Sequence, residues 1–241
     1  MKLDILAIAI HPDDVELGCS GTLMVAIQQG KKVGILDLTR GELGTRGTPE
    51  GRMREAESAA QVMGITIREN AGMADGFFQN DEKHQRQIIR FIRKYRPEIV
   101  LTNAYDDRHP DHGRAGALVL DACFYSGLRK VSTLDDMGLQ QEAWRPANVF
   151  HFIQDRYIKP DFIVDISDVM DKKLEAIRAF ESQFFVESYQ ADEPQSYISS
   201  PEFFDFVQAR AREMGHAIGV PYGEGFTSRR ALGVRDLGVF R

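Results

Sequence analysis

Two short clusters hold the residues of this sequence that are suited to chemistry. His11-Pro12-Asp13-Asp14 places one imidazole and two adjacent carboxylates directly behind the unbroken apolar run of residues 5–10. His109-Pro110-Asp111-His112 follows a second apolar stretch, residues 98–103. Two imidazoles and one carboxylate are a common ligand set for zinc, and three protein ligands leave a position open for water, as catalytic sites require. His11, Asp14 and His112 are the candidate ligands. Asp13, whose side chain leaves an irregular turn in a different direction from that of Asp14, stays free to act as a general base. A metal in such a site lowers the pKa of its water from 15.7 to about 7. His109, unligated beside the site, is suited to stabilise an oxyanion or to pass a proton. These residues point to a metal-dependent hydrolase.

Elements of the right kind stand in the right order to bring the two clusters together. Residues 5–10 read as a strand buried on both faces, and in an open parallel sheet ligands bind beyond the carboxyl ends of the strands. Residues 22–29 read as a helix stopped by Gly30, and residues 33–39 as a returning strand. The glycine-rich loop 40–47 then falls on the same edge as His11. Thr48-Pro49 caps a helix in which Met53, Ala56, Ala60 and Met63 recur at helical spacing, and a short strand is expected at residues 65–68. Asp81 caps the next helix, whose stripe of Ile88, Ile89, Ile92 and Tyr95 runs to Pro97. Residues 98–103 form a strand, and the following helix reaches about Tyr125.

Residues 128–147 have no clear period and read as an excursion or lid. Residues 149–153 and 162–166 read as two late strands, taken as a hairpin at the sheet edge. A helix capped by Ser167 or Asp168 runs to about Phe185, and a polar segment, 187–201, leads to a last helix over residues 202–218. This alternation predicts a single α/β domain spanning residues 1–241. It would be Rossmann-like, with a mostly parallel sheet, helices on both faces, and the site at the C-terminal edge of the strands.

Composition narrows the function classes. With 241 residues, 43% of them hydrophobic, the chain can bury a large core, and its net charge of −6 argues against nucleic acid or a membrane surface as partner. Two cysteines, Cys19 and Cys123, suit a reducing, cytoplasmic compartment. The apolar start is too short for a signal peptide or a membrane span. Cys19 reads as packing, His84 as solvated and His216 as a favourable charge at a helix end. His151 fits a core or a pocket role equally. Rival readings are a non-haem iron oxygenase using the same donors, a non-catalytic sugar- or metal-binding module, and a dinucleotide-dependent dehydrogenase. The last lacks the G-x-G-x-x-G spacing, for the first loop offers only Gly18 and Gly21.

His11-Pro12-Asp13-Asp14 with residues 16–22, together with His109-Pro110-Asp111-His112, resembles the zinc-dependent N-acetylglucosaminyl deacetylases of the LmbE/PIG-L family. The likeness extends through residues 44–49, Arg52, 159–161, 165–168, 210–212 and 219–224. It is nearest to the bacillithiol-pathway branch that acts on N-acetylglucosaminyl L-malate, with other N-acetylglucosaminides or chitooligosaccharides as alternative substrates. The resemblance implies Zn2+ held by His11, Asp14 and His112, with Fe2+ able to take its place in the cell. It implies Asp13 as general base, His109 as a protonated imidazole with Asp111 as its partner, and Arg52 as a substrate contact. Tyr197, ahead of Tyr189, would help to polarise the carbonyl. A small-molecule substrate and a homo-oligomer such as a hexamer are implied as well.

Overall fold

The computed structural model describes residues 1–186, 193–234 and 236–239. β1 (Ile5–Ala9), β2 (Val33–Thr39), β3 (Ile67–Met73), β4 (Ile99–Thr102), β5 (Asn148–Phe152), β6 (Phe162–Asp165) and β7 (Gly223–Ser228) form one sheet in the order β3-β2-β1-β4-β5-β7-β6. Pairings from β3 through β5 are parallel, and β7 runs antiparallel to both β5 and β6. This is the α/β architecture expected from the alternation of elements. The chain builds outward from β1 through β2 to β3, then returns to place β4 on the other side of β1. That reversal opens a crevice between the carboxyl ends of β1 and β4, where both polar clusters emerge. Ile8 pairs with Thr102, so the two strands end level.

Period-two alternation explains why β1 is apolar throughout. Leu6, Ile8 and Ile10 pack with α4 (Glu82–Tyr95) and α5 (Pro110–Ser126), while Ala7 and Ala9 face the core shared with α2 (Ser20–Gln28), α3 (Pro49–Met63), α6 (Met170–Arg178) and α7 (Pro201–Ala217). The caps read from sequence form: Thr48 Oγ1 accepts the Gly51 N–H at 3.0 Å, and Asp81 accepts the His84 N–H at 3.0 Å. His84 also places Nδ1 2.7 Å from Asp81.

Several boundaries differ from the sequence reading. The first loop is itself helical, α1 spanning Asp14–Gly18 ahead of α2. β3 runs on to Met73, and α6 stops at Arg178 well before Phe185. β5 and β6 do not form a hairpin, because β7 inserts between them; Gly223-Glu224-Gly225 carries little strand propensity, and only pairing with two neighbours makes it one. Residues 128–147 are no lid. α5 starts at the site edge and ends at the opposite one, where Trp144 Nε1 donates to Pro97 O at 2.8 Å and Arg93 donates to the carbonyls of Ser126, Leu128 and Val131. No helix among the described residues is long and apolar enough to cross a membrane.

Candidate active site

Beyond β1 the chain turns through Ile10 to Asp13, and Asp13 takes a φ of 131°, where an L-residue is strained. Arg52 on α3 holds this turn. Its Nη2 donates to Asp13 Oδ2 and to Pro12 O, both at 2.6 Å, and its Nη1 to Gly41 O at 3.4 Å. Gly41 has a φ of 64°, and a Cβ there would lie 2.1 Å from Arg52 Nη1, so the glycine-rich loop closes over the guanidinium only with glycine at this position. Arg52 is 4% exposed. The structure places its guanidinium on the Asp13 carboxylate at the wall of the cleft.

Asp14 sits at the centre of the donor set. Its Oδ2 accepts the His11 N–H at 3.1 Å and Asn103 Nδ2 at 2.9 Å, and lies 3.6 Å from His11 Nδ1. Its Oδ1 accepts Gln154 Nε2 at 2.8 Å and stands 3.2 Å from His112 Nε2. The outer nitrogens meet carboxylates: His11 Nε2 lies 3.0 Å from Asp75 Oδ1, and His112 Nδ1 2.7 Å from Asp107 Oδ2. A carboxylate on the outer nitrogen fixes the tautomer and turns the other nitrogen's lone pair inward. Donors about 2.0–2.1 Å from a tetrahedral ion stand about 3.3 Å apart, and each imidazole stands near that distance from one Asp14 oxygen, His112 at 3.2 Å and His11 at 3.6 Å.

His109 brings a third imidazole, with ligand atoms of His11, His109 and His112 within 4.8 Å of one another. It caps α5, however, its Nδ1 accepting the Asp111 N–H at 3.3 Å. A ring nitrogen that accepts carries no proton, so His109 is the neutral Nε2–H tautomer. Burial and the two neighbouring imidazoles hold its pKa below the ordinary histidine value, in the same direction. The Asp111 carboxylate accepts the Gly76 N–H at 3.1 Å and lies 3.4 Å from Arg114 and 3.7 Å from His11.

Charge in the site is strongly displaced from ordinary values. Burial pushes Asp13 up to about 7, with Arg52 opposing and Asp14 reinforcing. Burial also opposes the charge on Asp14, but His112 and His11 hold its carboxyl well below the usual range. For His112 burial works against the imidazolium, yet Asp14 and Asp107 raise it to about 9. Cys19 is fully buried and its thiol is pushed well up, consistent with packing. His151 is buried in β5, its Nδ1 donating to Asn103 O at 2.7 Å, which resolves it as a core histidine supporting the residue that holds Asp14.

His11, Asp13, Asp14, His109, Asp111 and His112 line a cleft of about 560 Å³, which Arg46, Arg52, Arg108 and Arg114 also border. Tyr197 lies at its rim, 53% exposed, with its ring centroid 4.4 Å from the Arg108 guanidinium. Tyr189 lies outside the described residues. Sequence reasoning gave no role to Asp75, Asn103, Asp107 or Gln154. Asn103 and Asp107 stood beside the second cluster, while Asp75 and Gln154 carry no local signal at all.

The PIG-L family, GlcNAc-PI de-N-acetylase, matches residues 6–123. A diacetylchitobiose deacetylase of Thermococcus kodakarensis is 33% identical over 202 residues, covering 79% of this chain and 73% of its own. A Bacillus cereus protein named "Probable N-acetyl-alpha-D-glucosaminyl L-malate deacetylase 2" is 26% identical, covering 76% of this chain and 84% of its own. The crystal structure of a conserved protein from Thermus thermophilus, TT1542, superposes with a TM-score of 0.84 at 36% identity, covering 97% of this chain and 98% of that one. The shared stretch contains both clusters and the strands that aim them, and the chain belongs to the PIG-L/LmbE family of deacetylases.

Proposed function

We propose that this enzyme removes the acetyl group from an N-acetylglucosaminide, with His11, Asp14 and His112 as metal ligands and Asp13 as general base. The observation that carries the reading is geometric: the Asp13 carboxyl is buried beside the donor set and held there by Arg52 at 2.6 Å, with one oxygen left for a water. His11, Asp14 and His112 would hold a divalent cation, which would lower the pKa of a water and polarise the acetamide carbonyl. Zn2+ suits this nitrogen and oxygen donor set, and Fe2+ accepts the same one.

Arg52 occupies Asp13 Oδ2, and Oδ1 accepts no hydrogen bond from a described residue. Ionised Asp13 takes a proton from the attacking water as the C–O bond forms, then returns it to the nitrogen as the C–N bond breaks, releasing acetate and a free amine. Neutral His109 donates Nε2–H to the developing oxyanion. Tyr197, at the rim, adds a second donor when it swings off Arg108.

For the sugar, the 33% identity to a diacetylchitobiose deacetylase favours a chitooligosaccharide. The four arginines bordering the cleft, Arg46, Arg52, Arg108 and Arg114, favour an anionic aglycone such as malate. Acetate release from N,N'-diacetylchitobiose and from N-acetylglucosaminyl L-malate, each before and after chelation, separates the two. Release from neither by zinc-loaded protein would overturn the deacetylase assignment.

A further inference from the structure

Beside the cleft lies a second, smaller cavity of about 50 Å³. Leu17, His112 and Gln154 border both spaces, so the cavity opens at the candidate metal ligands. Its apolar walls include Ile153, Val207, Ala211 and Met214. The charged groups that also line it are already engaged: Lys173 Nζ donates to Glu16 O, Leu17 O and Glu224 at 2.9, 2.7 and 2.7 Å, Arg210 donates to Asp155 O at 2.9 Å, and Arg108 lies 3.3 Å from the Asp155 carboxylate. An apolar occupant is what such walls accept.

Gln154 stands at the junction. Its Nε2 donates to Asp14 Oδ1, while its Oε1 is buried without a hydrogen-bond partner among the described residues. A buried acceptor left unmet is costly, and a donor on a ligand removes that cost. In a planar trans amide the N–H and the acyl carbon lie on the same side, opposite the carbonyl oxygen. One bound amide can therefore give its N–H to Gln154 while its acyl chain enters the cavity.

We propose that this cavity is an acyl pocket, that Gln154 Oε1 receives the substrate N–H, and that the enzyme removes N-propionyl and N-butyryl groups as well as N-acetyl. The inference rests on the deacetylase reading above. A water-sized group needs about 10–15 Å³ on this measure, so about 50 Å³ holds roughly three to five heavy atoms. Beyond the carbonyl an acetyl group uses one and a butyryl group three, whereas an octanoyl group needs seven. Hydrolysis splits the same C–N bond in each case, with water supplying OH to the acyl carbon and H to the amine.

The test uses the glycoside that releases acetate, prepared as its N-acetyl, N-propionyl, N-butyryl and N-octanoyl forms, with free amine measured. Propionyl and butyryl forms should keep kcat/KM within about tenfold of acetyl, and octanoyl should fall by more than about a hundredfold. Met214→Ala should move the preference toward longer chains, and Ala211→Leu should cut butyryl relative to acetyl by at least about tenfold. Butyrate should inhibit more tightly than acetate, an advantage lost in Ala211→Leu. Acetyl turnover with steep loss at propionyl, or a length profile that both folded variants leave unmoved, overturns the acyl pocket alone. No amine release from any form overturns the deacetylase reading, and the pocket with it.

Discussion

Arg52→Ala separates two accounts of the same arginine, one in which it reads the substrate and one in which it sets the base. The structure gives it a 2.6 Å bond to a carboxylate that is 5% exposed. A hydrogen bond to a charged group contributes about 1.5–3 kcal/mol, and 1.36 kcal/mol is one pKa unit. Loss of the guanidinium should therefore raise Asp13 by about one to two units from its value of about 7. The base works ionised, so a higher pKa leaves less of it active at neutral pH. We expect kcat at pH 7 to fall about five- to fiftyfold and to recover as pH rises, with KM nearly unchanged. Arg52→Lys, which keeps the charge but loses the fork whose Nη2 reaches Pro12 O and Asp13 while Nη1 reaches Gly41 O, should fall between. The assay is kcat and KM across pH for both variants, loaded with zinc. An acidic limb that stays in place while KM rises only for an anionic substrate would refute the positioning account.

Other substitutions divide metal binding from turnover. Asp13→Asn should keep the metal yet lose about 10²–10⁴ in kcat, whereas His112→Ala should lose the metal itself, measured by elemental analysis of the purified proteins. His109→Ala should keep the metal, because its Nδ1 serves the Asp111 N–H; loss of metal there would move the donor set to the three imidazoles. Asp107→Ala should weaken metal affinity about ten- to a hundredfold by releasing the His112 ring. Affinity in the native chain should also fall as pH is lowered, since His112, raised to about 9, must give up its proton before Nε2 can bind a cation. Competition titration at several pH values checks both. Lys173→Ala, which leaves Glu224 buried without its cation, should cost about 3–5 kcal/mol in denaturant unfolding; an unchanged midpoint would show that Thr22 and the Gly21 N–H satisfy Glu224 without it.

Local signals carried far in this chain because they were strong and redundant. The apolar β1 and β4, each breaking into a His-Pro-Asp cluster, identify two buried strands and the edge where chemistry sits, since two such clusters at equivalent strand ends are more than helix caps require. Thr48 and Asp81 announce their helices by capping geometry that depends on three or four neighbours only. β7 was not legible for the opposite reason. Its glycines are there to admit other elements: a Cβ at Gly225 would lie 2.9 Å from Met214 Sδ, and one at Gly223 2.6 Å from Ile163.

From its own order of residues the chain determined that two imidazole and carboxylate clusters would follow two buried strands, and hence what kind of chemistry was available. Only the tertiary structure decided how those groups are used. Asp75 and Gln154 reach His11 and Asp14 across 64 and 140 residues of sequence. Arg52 turns inward to Asp13, and a helix N–H meets His109 Nδ1. The physical reason is that a protonation state or a hydrogen-bond partner belongs to an environment, and in this crevice the environment is assembled from β1, β4, α3, α5 and the loop after β5, which meet only when the sheet closes around them.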